Sequence, residues 1–391
     1  MRRLLFSLYG FSFFNKFLLL TPVYAIFMQQ NGVSDVQLST MFIISSVATV
    51  LGQLPITFIT NRIGGRWAMI FGQFLKMFAV LLWLVWPTYA GFAAGMVLWG
   101  LQAGFRSVAF EGLMYDSIKS YGRARDYSRI LGRKYTYESI GVALSACGSL
   151  LMFLGYNWVT WASVGAILMS VWCLMLIRRA PGTTYTPVAG PEFRKMFRTG
   201  VRVVLKTPCL LSIMLLALLV VNIPFLDDFL SPIGLQLGIA TEYVGIVSFF
   251  LLACATIGQR LAYRLNRLPD MILYIMIGCV GVCYMLFALL YSVPALLLLG
   301  LGYMMFYGLY NLFYAQFQHL IPPRHRSVVL SLYTTLTYLV YIIVCLIIGL
   351  GGELGSWRYS IMILGALMLV LCAWAVTHVR RRCDLDASVC S

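Results

Sequence analysis

Charge is scarce in this chain, and acid is the scarcer sign: 13 Asp and Glu stand against 29 Lys and Arg in 391 residues. Charged residues are 11% of the chain and hydrophobic ones 61%, with a mean hydropathy of +0.86. No water-soluble domain of this length could cover its surface with that composition. Histidine is scarcer still, and His319, His325 and His378 are scattered, which gives no support to a metal centre or a Ser-His-Asp site. A glycine-rich loop able to cradle phosphate is missing as well. The chain is therefore not read as an enzyme, and no catalytic residue, cofactor or metal is expected.

What is present is a series of long apolar segments. A transmembrane helix needs about 20 mainly apolar residues. Cutting at charges, prolines and glycines predicts twelve spans, at 4–28, 36–60, 67–87, 89–118, 128–154, 157–178, 208–237, 242–263, 270–291, 293–320, 327–349 and 356–379. Arg2 and Arg3 precede the first run, but it is too long for a signal peptide and carries Lys16 in its middle, so it reads as a retained span.

The basic residues fall into alternate gaps. They sit at the start (Arg2, Arg3), after span 2 (Arg62, Arg66), after span 4 (Lys119 to Lys134), after span 6 (Arg178 to Lys206), after span 8 (Arg260 to Arg267), after span 10 (Arg324, Arg326) and in the tail (Arg380 to Arg382). Only Arg358 lies on the other side, so the orientation rule places both termini in the cytoplasm. The net charge of +16 then expresses sidedness, with some attraction to anionic lipid, and not nucleic-acid binding. Eight of the ten cysteines lie in apolar spans, and Cys383 and Cys390 lie on the expected reducing side, so a disulfide framework is not expected.

The longest hydrophilic stretch, 179–207, divides the chain into an N-terminal half (1–178) and a C-terminal half (208–379), followed by a short tail (380–391). A faint repeat links them: TPVYAIFMQQNGVSDV from Thr21 and SPIGLQLGIATE from Ser231 each pair a hydroxyl residue with Pro before a glycine and a polar turn. The expected fold is an all-α membrane protein of twelve transmembrane helices in two pseudo-symmetric six-helix halves, with a pathway between them.

Residues 57–66, TFITNRIGGR, resemble the G-x-x-x-D-R-x-G-R-R signature between spans 2 and 3 of the major facilitator superfamily. Arg62, Gly64 and Arg66 match; Thr57, Asn61 and Gly65 depart, and Asn61 removes one charge. Phe105 to Arg133 and His319 to Tyr333 are similar to the 4-to-5 and 10-to-11 connections of bacterial members, and with the span count the resemblance covers the whole chain. It implies alternating access, an inner gate using Asn61, Arg62, Gly64 and Arg66 with Asp116 as receiving carboxylate, and a cavity lined by spans 1, 4, 7 and 10.

Charges inside apolar spans cost about 2.5–3.5 kcal/mol each and tend to face a partner or a wet cavity. Lys16, Arg106, Glu111, Asp227 and Asp228 fall on spans 1, 4 and 7, whereas Lys76 on span 3 and Glu138 on span 5 are read as structural pairs. Asp227, Asp228 and Glu111 are candidates for carrying a proton, and only one of the adjacent aspartates is expected to face the cavity because helix neighbours point about 100° apart. A permanent pairing of either aspartate with Lys16 or Arg106 is the structural alternative, and Glu111 with Arg133 could serve the gate. Span 10 carries Tyr303, Tyr307, Tyr310 and Tyr314 with Asn311 and Gln318 on one broad face, a wet aromatic stripe suited to a moderately apolar solute.

Pro22, Pro224 and Pro232 are expected to loosen spans 1 and 7, and Gly141 and Gly148 to let span 5 approach a neighbour closely. The resulting expectation is a monomeric multi-pass protein of a bacterial inner membrane, handling a small-molecule substrate and protons, with efflux of a small amphiphilic solute ahead of uptake. In uptake of a metabolite, peptide or siderophore, Lys16 and Arg106 would bind an anionic group. A non-transporting receptor or scaffold is the reading from another class.

Overall fold

The computed structural model describes residues 1–123, 126–177, 190–266, 268–322 and 326–379; the side chains of Leu54, Glu111, Ser128, 190–197, Arg326 and Ser327 lie outside that description. Among the described residues there is no strand. The helices are α1 (Arg2–Lys16), α2 (Tyr24–Gln30), α3 (Asp35–Ile63), α4 (Gly65–Val85), α5 (Tyr89–Ser120), α6 (Tyr127–Ser145) and α7 (Tyr156–Met175). They continue as α8 (Gly190–Lys206), α9 (Pro208–Asn222), α10 (Leu230–Gln236), α11 (Val244–Leu265), α12 (Asp270–Leu290), α13 (Leu296–Leu320), α14 (Arg326–Glu353) and α15 (Trp357–Trp374).

Among the described residues, ten segments are long and apolar enough to cross a membrane by length and composition. The expected spans 1 and 4 are not among them. Span 1 is split into α1 and α2, and α5 carries Gln102, Arg106, Glu111 and Asp116 along its length. Large apolar side chains such as Leu51 (71% exposed), Val85 (81%) and Phe153 (71%) face outward, as lipid contact requires and water would penalise.

The chain forms two compact units. The first holds residues 1–187 with 228–249, and the second holds 188–227 with 250–391. Within the first, α5 packs on α3 and α4, α1 packs on α6 and α7, and α4 packs on α7. Within the second, α12 packs on α13 and α15, α9 packs on α13, and α14 packs on α8, α9 and α15. The α4–α5 and α4–α7 pairings of the first unit thus recur as α12–α13 and α12–α15 of the second. Gly281 and Gly365 face each other's carbonyls at 2.6 and 2.9 Å from a notional Cβ, which sets the close crossing of α12 and α15.

Spans 1 and 7, expected as continuous helices, are corrected here. Span 1 is not one helix: it stops at Lys16 and resumes at Tyr24. Span 7 likewise stops at Asn222, passes through a short 3-10 turn at Asp227–Phe229 and resumes as α10. Part of the hydrophilic linker, Gly190–Lys206, is helical, with Gly200 set against Val328 of α14. In addition, Cys209 is disulfide-bonded, against the expectation of reduced thiols.

Candidate functional site

The two broken helices occupy corresponding places in the repeat, and each break frees backbone groups that a membrane cannot hydrate. Side chains answer them. In span 1, the Leu20 amide donates to Ser163 Oγ at 2.9 Å, Ser231 Oγ donates to the Pro22 carbonyl at 2.6 Å, and Lys76 Nζ donates to the Asn15 carbonyl at 2.8 Å. In span 7, the Tyr284 hydroxyl donates to the Pro224 carbonyl at 2.5 Å. The prolines at both breaks lack a donor, which is how the sequence admits an interruption inside an otherwise apolar run.

Asp227 lies at the break in span 7. Tyr303 Oη donates to its Oδ1 and Tyr307 Oη to its Oδ2, both at 3.0 Å. Tyr303 is fully buried and Tyr307 half-buried, one turn apart on α13. Bonds of this kind to an ionised acceptor are about twice as strong as neutral ones. Asp228, the next residue, is held within the first unit instead: Tyr24 Oη donates to its Oδ1 at 3.1 Å. Each aspartate thus has its own tyrosine partner, and the pair sits in a 3-10 turn and not in the regular α-helix from which the 100° separation of neighbours was taken.

The aromatic stripe divides. Tyr303 and Tyr307 serve Asp227, whereas Tyr310 and Tyr314 stack at 5.6 Å and Tyr314 continues onto Tyr333 at 5.3 Å. Asn311 and Gln318 are half-buried on the same helix. In the first unit Tyr24 stacks on Trp83 at 5.9 Å, and Trp83 on Trp99 at 5.6 Å. The Trp99 ring in turn lies 5.3 Å from the Lys76 ammonium.

Lys16 closes α1, and Arg106 is half-buried on α5. Glu111 is on α5, with its side chain outside the described residues. Glu138 pairs with Lys134 at 3.1 Å, as a structural role requires. Lys76 also has partners built into the fold, the carbonyl and side chain of Asn15 and the Trp99 ring.

At the α3–α4 turn, Gly64 takes φ 84°, a left-handed conformation open to glycine, and joins the helices in one residue. Arg66 Nη2 donates to the Met175 carbonyl at the end of α7 at 2.7 Å, and Arg62 lies 4.1 Å over Phe58. Among the described residues Asp116 pairs with neither arginine, whereas Arg123 pairs with Asp126 and Lys134 with Glu138; Asn61 is half-buried at the end of α3. Arg133 is exposed on α6 beside the Tyr9 hydroxyl.

Residues that the sequence reading passed over are Asn15, Tyr24, Gln73, Trp99, Ser170 and Tyr284. Gln73 and Lys76, three apart in an apolar helix, were the available signal; Tyr24 and Tyr284 are single aromatics with no local mark.

Two membrane helices broken in matching positions, with polar groups gathered at the breaks, form the frame of a transporter. The model of the Major Facilitator Superfamily matches residues 5–344, and the chain belongs to that superfamily. Its fold is similar to that of the nucleoside transporter NupG (TM-score 0.70, 14% identity, 95% of this chain and 97% of the other). It is also similar to a POT family transporter solved in complex with a thioalcohol-conjugated peptide (TM-score 0.73, 13% identity, 97% and 96% covered). A third similar structure is a D-xylose–proton symporter (TM-score 0.71, 12% identity, 96% and 97% covered). At such identities the likeness is one of fold alone. No curated protein matches the chain by sequence.

Proposed function

We propose that the protein is a proton-coupled secondary transporter that exports a small amphiphilic solute by alternating access. The observation that carries this reading is the Asp227 carboxylate, placed at a helix break and held by the hydroxyls of Tyr303 and Tyr307. An ionised carboxylate accepts from both phenols. Once a proton binds, one oxygen becomes a donor and a weaker acceptor, so the phenol on that side turns to accept or loosens its hold. Proton loading at Asp227 therefore changes which hydroxyls α13 offers to a solute, and a solute that takes a hydroxyl alters the proton's site in return. That reciprocity is what coupling requires.

The tyrosines further along α13 offer stacking surface to an apolar body. Tyrosine rings beside carboxylates suit an amphiphilic solute and favour efflux in this reading, and the D-xylose–proton symporter among the fold neighbours supports a gradient as the driving force. In this reading the inner gate uses Arg66 and the Gly64 turn, with Asn61 and Arg62 at the end of α3.

The test uses purified protein in liposomes loaded with a pH-sensitive dye, with amphiphilic cations, peptides, sugars and organic anions offered in turn. Proton movement that depends on one solute class is expected. Full proton-driven flux in an Asp227→Asn, Asp228→Asn double variant overturns proton coupling through this pair.

A further inference from the structure

We propose that α8 is an interfacial helix whose basic face binds the headgroups of anionic phospholipids in the leaflet beside it. Such binding is independent of the transport reading and adds lipid as a second ligand of the chain.

Helix α8 (Gly190–Lys206) reads GPEFRKMFRTGVRVVLK, with five basic residues against one acid, Glu192. Arg194, Arg198, Arg202 and Lys206 recur at every fourth position. That spacing turns only about 40° per step, so the series runs along one side of a helix. Gly200 and Val204 each stand two residues beyond an arginine, about 200° around the helix from it. The burial follows this division. Arg198, Arg202 and Lys206 are exposed, whereas Val204 is 2% exposed and a Cβ on Gly200 would come within 2.5 Å of Val328 Cγ1 on α14.

The place of α8 in the fold selects lipid as the surroundings of the basic side. Thr207, a single extended residue, joins it to α9, which opens the membrane-crossing segment Pro208–Gln236. Gly200, about 9 Å back along the helix, touches Val328 at the start of the crossing segment Val328–Glu353. Helix α8 therefore runs along the beginnings of two spans of the second unit, at the level where apolar segments give way to headgroups.

Leu205 is 62% exposed beside Arg202 and Lys206. An interfacial helix uses such a residue to reach the acyl chains, while the long stems of its cations lie along apolar surface and hold the charges at the phosphates. Arg198 and Arg202, one turn apart, present planar forks that match phosphate oxygens in pairs. An acidic protein segment would satisfy the charge, but it would use neither the exposed leucine nor the position at the span ends.

The experiment titrates full-length protein, purified and delipidated in detergent, with phosphatidylglycerol and with phosphatidylcholine of the same acyl chains, and counts bound lipid by native mass spectrometry. A preference for phosphatidylglycerol is expected. Each cation at an anionic surface contributes about fivefold, so the triple variant Arg198→Gln, Arg202→Gln, Lys206→Gln should lose about a hundredfold of that preference. The charge-conserving Arg198→Lys, Arg202→Lys, Lys206→Arg should keep it. A charge-matched variant of exposed basic residues elsewhere, Lys119→Gln, Arg260→Gln, Arg264→Gln, should lose far less. Should the α8 triple variant fail to fold, as its Tm in phosphatidylcholine would report, Arg202→Gln alone carries the decision, with about a fivefold loss expected. An unchanged preference in the α8 variants, or an equal loss in the charge-matched one, overturns the proposal. So does displacement of phosphatidylglycerol by inorganic phosphate or glycerol phosphate at equal concentration, which would assign the face to a soluble anion.

Discussion

The Tyr307 hydroxyl and the Asp227 carboxylate meet at 3.0 Å across 80 residues of sequence, and Tyr303, one turn earlier on α13, completes the clasp on the other oxygen. A charged group in a membrane interior is tolerated there because two phenols replace the water it lost. Asp228 accepts from the Tyr24 hydroxyl of α2, within the first unit.

This difference separates the two aspartates. Asp227→Asn is expected to abolish solute-dependent proton movement while leaving solute exchange without a gradient. Asp228→Asn is expected to slow transport no more than Tyr24→Phe does, with coupling retained. Dye-reported proton flux beside radiolabelled exchange in the same liposomes measures both, and loss of coupling confined to Asp228→Asn would reverse the assignment.

Ser163 tests the stitching of the span 1 break. In Ser163→Ala the buried Leu20 amide is left without its acceptor, at a cost of about 1–3 kcal/mol, visible as a lower Tm in detergent. An unchanged Tm would mean that the break is held by other contacts.

Two glycines on neighbouring elements give opposite expectations. A Cβ at Gly148 would collide with the Leu19 carbonyl oxygen, in the broken segment, whereas one at Gly165 on α7 meets nothing within 4 Å. Gly148→Ala should destabilise by about 1–3 kcal/mol, the scale of overpacking. Gly165→Ala should be neutral or stabilising by up to about 1 kcal/mol, from the lost backbone freedom of glycine. Scanning fluorimetry of the pair needs no substrate.

Arg66 reaches the Met175 carbonyl at the end of α7. Arg66→Met should reduce the transport rate with solute affinity unchanged, because the contact lies at the α3–α4 turn, apart from the breaks that gather the polar side chains. A change in affinity with the rate preserved would remove Arg66 from the gate.

Much of the fold was legible in the sequence because hydropathy and charge act locally: each apolar run carries its own preference for lipid. The broken spans were legible only in part. Pro22 and Pro224 announced weakness, and Gly141 and Gly148 announced close approach, but nothing nearby showed that Ser163, Lys76, Ser231 and Tyr284 would receive the freed backbone groups. The four-tyrosine stripe on α13 was visible as a face, yet its division between Asp227 and a stacked pair was not, since stacking on Tyr333 of α14 depends on a helix beyond the stripe.

Sequence alone thus determined that the chain enters the membrane many times, where its basic loops gather and which few charges lie within apolar runs, because transfer free energy is a sum over neighbouring residues. Tertiary structure decided where spans 1 and 7 stop being helices and which side chains hold Asp227, Asp228 and Lys76. A helix can break in lipid only where other segments supply partners for its freed groups, and those partners are distant in the chain and near only once it has folded.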